Sequence, residues 1–198
     1  MHRLSGILTL TVKGLIFAVC LMISQGFAQI NSASKFPDRI ILNPTPDPTT
    51  SVAVTWRTDT TIHSGFCEWQ PATATKINPE SNRSAESGTK TVTYTFKEEP
   101  AITVNQHSYI LNGLKPGTKY VYRVGAGKWW SEWFEIETFG INNEPYSFIY
   151  FGDPQIGLKS EWPRVLRKAY QHSPDCRFML YAGDLINRAG RDLEWDEF

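Results

Sequence analysis

Two aspartates occur in the same local sequence context: each directly follows a glycine at the end of a short apolar run. Asp153 follows Gly152, and Asp184 follows Gly183. Two carboxylates that converge repel each other unless a cation lies between them, so such a pair indicates a metal site. The alternative is that each aspartate caps a helix or closes a turn. The residue pattern by itself leaves both interpretations open.

The segment that carries these aspartates is predicted to be a strand, a helix and a second strand. Residues 146–151 and 177–182 are the short apolar strands. Between them, Ser160 is the predicted N-cap of a helix whose apolar residues recur at helical spacing: Trp162, Val165, Leu166, Ala169 and Tyr170. A crossover helix makes the two strands parallel neighbours. Asp153 and Asp184 then leave the same carboxyl edge, where open α/β sheets bind ligands.

Residues 37–139 carry an all-β pattern. Short segments are separated by Pro, Gly and Asn turns, and predicted strands cover residues 51–57, 65–69, 91–96, 107–111, 120–124 and 133–137. This spacing is typical of a β-sandwich. Leu114 and Tyr120 flank the turn Pro116-Gly117, the pattern of a tyrosine corner. In this feature the segment resembles a fibronectin type III domain. The polar residues 81–90 are predicted to be a mobile loop.

An aromatic segment, residues 128–133, contains three tryptophans. If it is a strand, Trp129 and Trp133 share one face, opposite Trp130 and Phe134. The rings either form a platform for a sugar or pack in the sandwich or against the following domain. Packing is the favoured interpretation, because aromatic side chains serve mostly in burial.

Residues 1–28 are typical of a secretory signal peptide, with a basic start, an apolar core over residues 14–23 and a cleavage site before Gln29. We therefore expect an exported protein, periplasmic or extracellular, with no membrane span after cleavage. Cys67 and Cys176 remain in the mature chain, either as one disulfide or as buried thiols. The formal net charge is zero, which gives no basic excess to indicate nucleic-acid binding.

Taken together, residues 37–198 resemble the purple acid phosphatases and their relatives among the calcineurin-like metallophosphoesterases. The resemblance rests on residues 107–125, Phe151-Gly152-Asp153 and Gly183-Asp184-Leu185. It implies an all-β, fibronectin-III-like sandwich over residues 37–139, followed by the start of an α/β metallophosphoesterase domain over residues 145–198. It further implies a hydrolase in which Asp153 ligates one metal and Asp184 bridges two, and a metal-activated water attacks the phosphorus of a phosphoester.

The chain departs from the family pattern at two positions. The purple branch has Asp-x-Gly in the first motif and a tyrosine at the position of Asn187, and other members have a histidine at the position of Gln155. Gln155 and Asn187 offer only amide oxygens as ligands. We therefore expect two divalent ions (Fe, Mn, Zn or Mg) and no ferric tyrosinate colour. Arg188 is a candidate phosphate contact, because a guanidinium matches phosphate geometry.

The family's later motifs, Gly-Asn-His-Glu, a further His and Gly-His-x-His, do not follow in the 198 residues. We therefore expect an N-terminal portion that has no phosphatase activity alone, and we assign no catalytic residue in it. The alternative function is a non-catalytic secreted β-sandwich that binds a partner or a glycan and carries a decayed phosphoesterase remnant. The sequence does not indicate the phosphoester or the oligomeric state.

Overall fold

A computed structural model describes residues 33–73, 77–78, 82–95, 100–142 and 145–198. The predicted signal peptide lies outside them. Within these residues the first part of the chain is all β. Its strands are β1 (Asp38–Pro44), β2 (Val52–Thr58), β3 (Phe66–Pro71), β4 (Arg83–Glu86), β5 (Gly88–Tyr94), β6 (Ile102–Leu111), β7 (Lys119–Ala126), β8 (Trp129–Trp130) and β9 (Phe134–Glu137).

These strands form two antiparallel sheets. One sheet has the order β1-β2-β6-β5, and the other has the order β4-β3-β7-β8, with β9 also paired to β7. This is the strand order of an immunoglobulin-type sandwich, A-B-E-D against C-F-G, an architecture that fibronectin type III domains share. The predicted β-sandwich is therefore confirmed.

Alternation along the strands builds the core of the sandwich. In β2, Val54 and Trp56 are fully buried, as their shared face predicts. Residues from both sheets and from the loop before β7 complete the cluster: Cys67, Trp69, Leu111, Leu114, Tyr120, Tyr122 and Val124. Cys67 is buried and Cys176 is partly buried, and both are free thiols. The thiol alternative is thus the one that the structure shows.

The predicted tyrosine corner is present at the start of β7. The backbone N–H of Lys115 donates a hydrogen bond of 2.8 Å to the hydroxyl of Tyr120. Gly117 has φ +56°, a left-handed conformation that suits glycine, and it allows the tight turn between these two residues. The corner fixes the connection between the two sheets, because β6 and β7 belong to different sheets.

Two predictions in the sandwich are wrong. Residues 81–90 are not a loop where they are described: β4 and the first residues of β5 occupy them. Both are edge strands, which tolerate polar residues on both faces, so the alternation that would reveal them is missing. Trp129 and Trp133 also do not share a face opposite Trp130. Trp130 and Trp133 both contact the guanidinium of Arg123, at 4.5 and 4.8 Å, because β8 ends at Trp130 and the chain then leaves the strand.

The second part of the chain is a parallel β-α-β unit followed by a short helix. Its elements are β10 (Ile149–Phe151), α1 (Trp162–His172), β11 (Met179–Tyr181) and α2 (Asp192–Glu197). β10 and β11 pair in parallel, so the predicted crossover is confirmed. Ser160 is not the N-cap of α1. Glu161 holds that place without a side-chain bond, and the carbonyl of Gly157 accepts N–H bonds at the helix start.

Within the part of the chain that the structure describes, only one face of this parallel sheet is covered. α1 packs on it through Trp162, Leu166 and Ala169, beside Ile149 and Phe151. On the other face, Tyr150 and Leu180 are 62% and 46% exposed. Parallel sheets are normally covered on both faces, so these exposed residues mark a face that the described elements leave open. Among the helices of the described residues, none is long and apolar enough to cross a membrane.

Candidate metal centre

Both predicted metal ligands lie just beyond the carboxyl ends of neighbouring parallel strands. Asp153 is two residues after β10, and Asp184 is three residues after β11. Both side chains are exposed at the sheet edge. The strands therefore place these two aspartates at the edge where ligands bind in open α/β sheets.

The two turns touch each other. A Cβ built on Gly183 would overlap Oδ1 of Asp153 and would lie 2.6 Å from its Cγ. Glycine at position 183 therefore leaves the space in which the carboxylate of the first turn reaches the second turn. The other glycine of the pair, Gly152, has nothing within 4 Å of such a Cβ. Of these two glycines, Gly183 is therefore the one that lies in close contact with the other turn.

The donor atoms at this edge suit a hard divalent cation. Carboxylate oxygens bind Mg²⁺ and Mn²⁺ well, and Zn²⁺ and Fe²⁺ also accept them. Within the described ranges no group of three or more His, Cys, Asp or Glu residues is placed to hold a metal. The described residues therefore place two candidate charged ligands, Asp153 and Asp184, at this edge.

The remaining predicted residues lie on the same two turns. Gln155 is half-buried, and Asn187 and Arg188 are exposed. The described contact between the turns is that of Asp153 with Gly183, so ligation by Gln155 or Asn187 and phosphate contact by Arg188 stay predictions. His172 is the last residue of α1. A crossover helix runs antiparallel to its strands, so this histidine lies at the opposite edge of the sheet.

The loop that carries the second aspartate, here called the Asp184 loop (residues 183–190), is held on two sides. Ile186 is buried in the core of the β-α-β unit. On the other side, the backbone N–H of Arg188 donates a 2.7 Å hydrogen bond to Glu194, and the indole N–H of Trp195 donates to the carbonyl of Ala189 at 3.0 Å. Both of these partners belong to α2, so this helix fixes the end of the loop.

Helix α2 is in turn bound to the sandwich by an arginine–aspartate cluster (Asp38, Arg39, Arg57, Asp192 and Asp196). Arg57 is 1% exposed and makes two hydrogen bonds of 2.8 Å to the carboxylate of Asp38. Its Nη1 lies 3.4 Å from Oδ1 of Asp192. Nη2 of Arg39 lies 2.8 Å from Asp192 and 2.7 Å from Asp196. Two sandwich arginines thus form ion pairs with two carboxylates of α2.

The cluster keeps its buried arginine charged. Burial works to lower the pKa of Arg57, but the hydrogen bond with Asp38 and the charges of Asp38, Asp192 and Asp196 raise it overall. Sequence analysis missed this cluster. The available signal was Arg57 itself, a charge in the strand Val-Ala-Val-Thr-Trp-Arg-Thr whose neighbours are buried. A buried charge requires a partner, but the sequence does not say that the partner lies 135 residues away.

The family described as "Purple acid Phosphatase, N-terminal domain" matches residues 37–138, just over half of the 198-residue chain. The chain belongs to this family. The match contains the whole sandwich and ends before Asp153 and Asp184. The β-α-β unit that carries the candidate metal ligands therefore lies beyond the purple acid phosphatase N-terminal domain.

Two of the solved structures that are similar to the chain are single domains. The fn3 domain of the human collagen alpha-1(XX) chain is 21% identical, with a TM-score of 0.35, over 61% of this chain and 99% of its own. The sensor domain of the anti-sigma factor RsgI4 from Pseudobacteroides cellulosolvens is 18% identical, with a TM-score of 0.34, over 52% of this chain and 95% of its own. A comparison with curated proteins found no match.

The purple acid phosphatase N-terminal domain also buries a histidine in its own core. His107 is 1% exposed, and its ring stacks on Trp56 with centroids 5.3 Å apart. Its Nε2 and Nδ1 hydrogen-bond with the hydroxyls of Thr58 and Thr89. Burial lowers the pKa of His107 to about 4, so the ring is neutral near pH 7. In the same core, burial raises the pKa of Cys67 to about 12, which keeps this thiol unreactive.

Proposed function

We propose that the protein is an exported metal-dependent phosphoester hydrolase and that residues 145–198 begin its metallophosphoesterase domain. The observation that supports this most is the contact of the Asp153 carboxylate with the Gly183-Asp184 turn, at the carboxyl edge of β10 and β11. The β-α-β unit that contains this contact follows directly on a purple acid phosphatase N-terminal domain. The uncovered apolar face of the parallel sheet agrees with a domain that contains further layers.

In this proposal Asp153 and Asp184 hold divalent cations between the two turns, with Gln155 and Asn187 as neutral oxygen ligands. The bound ions would polarise the phosphoryl group and lower the pKa of a bound water. Arg188, on the same loop as Asp184, would orient the phosphate. With an amide at position 187, a ferric tyrosinate is not part of the site. Two aspartates do not complete two metal sites, so the 198-residue chain alone is expected to bind metal without hydrolysing a phosphomonoester.

The proposal is tested by Mn²⁺ binding to the 198-residue chain, with free Mn²⁺ measured by electron paramagnetic resonance. Asp153→Asn and Asp184→Asn each remove one charged ligand, and we expect either change to weaken binding by about tenfold or more. Asp175→Asn is the matched control, because Asp175 is exposed in the turn before β11, at the opposite end of that strand. Binding that ignores the first two substitutions, or responds equally to the control, would contradict the proposal.

The alternative, a binding module that recognises glycans through its tryptophans, has less support. The guanidinium of Arg123 lies against both Trp130 and Trp133, and it also pairs with Glu68 at 2.7 Å. The ring of Trp129 packs edge-on against Phe36 at 4.8 Å. These rings already have protein partners, so they do not form an open stacking platform for a sugar.

A further inference from the structure

A distortion in β1 lets two adjacent residues, Asp38 and Arg39, join the same arginine–aspartate cluster. Asp38 pairs with Arg57 and Ile41 pairs with Thr55, so two residues of β1 lie opposite the single residue Trp56. Such a bulge changes the direction of side chains, which otherwise alternate between the faces of a strand. Arg39, at the bulge, has φ +47°, a left-handed conformation that is unfavourable for a residue other than glycine.

The strained conformation of Arg39 changes where its side chain lies. In a regular strand the side chains at positions 38 and 39 would lie on opposite faces. Here Asp38 binds Arg57, and Arg39 binds Asp192 and Asp196, so both side chains join one cluster at α2. Strained backbone persists where the surrounding contacts determine it, and it concentrates at functional sites.

Helix α2 connects the arginine–aspartate cluster to the candidate metal centre. On its sandwich side, α2 offers Asp192, which is 2% exposed, and Asp196. On its other side it offers Glu194 and Trp195, which bind the backbone of Arg188 and Ala189. A six-residue helix is too short to be stable by itself, so these contacts determine its position. The position of α2 then determines that of the Asp184 loop.

We propose that Arg39 and Arg57 of the sandwich are positioning residues for the candidate metal centre: through α2 they hold the Asp184 loop where its Gly183 meets the carboxylate of Asp153. This inference deepens the proposed function and rests on it for the role of the metal. In this inference the N-terminal sandwich orders a loop of the domain that follows it. The two residues touch neither metal nor substrate and act only through Asp192 and Asp196.

The test uses amide hydrogen exchange of the 198-residue chain, followed in peptides that cover residues 183–190. We expect Asp192→Asn, Asp196→Asn and Arg39→Ala to speed exchange of these amides by about tenfold or more, because each removes a partner from a buried ionic cluster. Arg39→Lys keeps the charge and should restore most of the protection. The sandwich amides serve as an internal control, and variants in which they remain protected carry the conclusion.

The matched control is Arg177→Ala. Arg177 pairs with Glu137 at 3.1 Å, so it also joins the sandwich to the β-α-β unit, but it precedes β11 and lies at the end of that strand away from the aspartates. We expect this variant to leave exchange of residues 183–190 unchanged. Equal effects of Arg177→Ala and Arg39→Ala would overturn the inference, as would unchanged exchange in Asp192→Asn.

A second measurement separates this inference from the proposed function. The dissociation constant for Mn²⁺ is measured in the same variants, and it should rise about tenfold in Arg39→Ala and recover in Arg39→Lys. A merely structural ion pair would not change Mn²⁺ affinity in this graded way. If the wild-type chain binds no Mn²⁺, the proposed function is wrong, and the exchange of residues 183–190 alone decides whether the sandwich orders the loop.

Discussion

The buried histidine of the sandwich makes the stability of this domain depend on pH in a way that can be measured. Thr58 donates its hydroxyl proton to the carbonyl of Asp59, so Nε2 of His107 must donate to Thr58, and Nδ1 accepts from Thr89. This arrangement suits the neutral ring. A second proton on the ring would place a charge in a core site that is 1% exposed.

The magnitude follows from the pKa of His107, which is lowered from 6.5 to about 4 in the folded state. Because the folded-state value is the lower one, the unfolded chain binds the proton first as the pH falls. The stabilising contribution is therefore complete above pH 6.5 and is lost as the pH falls towards about 4. At about 1.4 kcal/mol per pKa unit, the loss is about 3 kcal/mol, a large part of the stability of a small domain.

The assay is urea unfolding followed by tryptophan fluorescence at several values between pH 7 and 4, with wild type and His107→Gln compared at each pH. The glutamine variant loses stability at every pH, but it has no imidazole to protonate. The difference between the two unfolding free energies should therefore shrink by about 3 kcal/mol as the pH falls. A difference that stays constant over this range would refute the reasoning.

Three further predictions follow from the structure. Tyr120→Phe removes the hydrogen bond from Lys115 and should lower the free energy of unfolding by about 1 kcal/mol in urea titrations, whereas an unchanged midpoint would mean that the corner adds no stability. Gly183→Ala should displace the carboxylate of Asp153 and abolish Mn²⁺ binding while the sandwich keeps its unfolding midpoint; wild-type affinity would show that the two turns need not touch. The protein purified from its source, sequenced from its N-terminus, should begin at Gln29, and a retained Met1 would exclude cleavage.

Local patterns in the sequence predicted much of the fold. The tyrosine corner needs only residues 114–120, and the alternation of Val54 and Trp56 marks a buried face within one strand. The apolar runs before Asp153 and Asp184 and the helical spacing between them likewise gave the parallel β-α-β unit. In each case the informative residues are close together in the chain.

What the sequence could not predict depends on distant or unpatterned contacts. β4 and the first residues of β5 belong to polar edge strands, and nothing in their composition distinguishes them from a loop. The link from Arg57 to Asp192 joins two ordinary charged residues far apart in the chain, and their pairing leaves no local mark. The bulge at Arg39 contains no Gly or Asn that would indicate a left-handed backbone in the sequence. The contacts of the Arg39 side chain, and not its residue type, stabilise this conformation.

The arginine–aspartate cluster also implies an order of assembly. Every strand of the sandwich lies within residues 38–137, so the sandwich can form before α2 is available, as N-terminal domains do when a chain emerges from its N-terminus. During that interval Arg57 is already paired with Asp38, a neighbour on the adjacent strand, and its charge is not left alone in the interior. Asp38 therefore keeps Arg57 paired before α2 docks, and it stays bound to Arg57 when Asp192 joins the cluster.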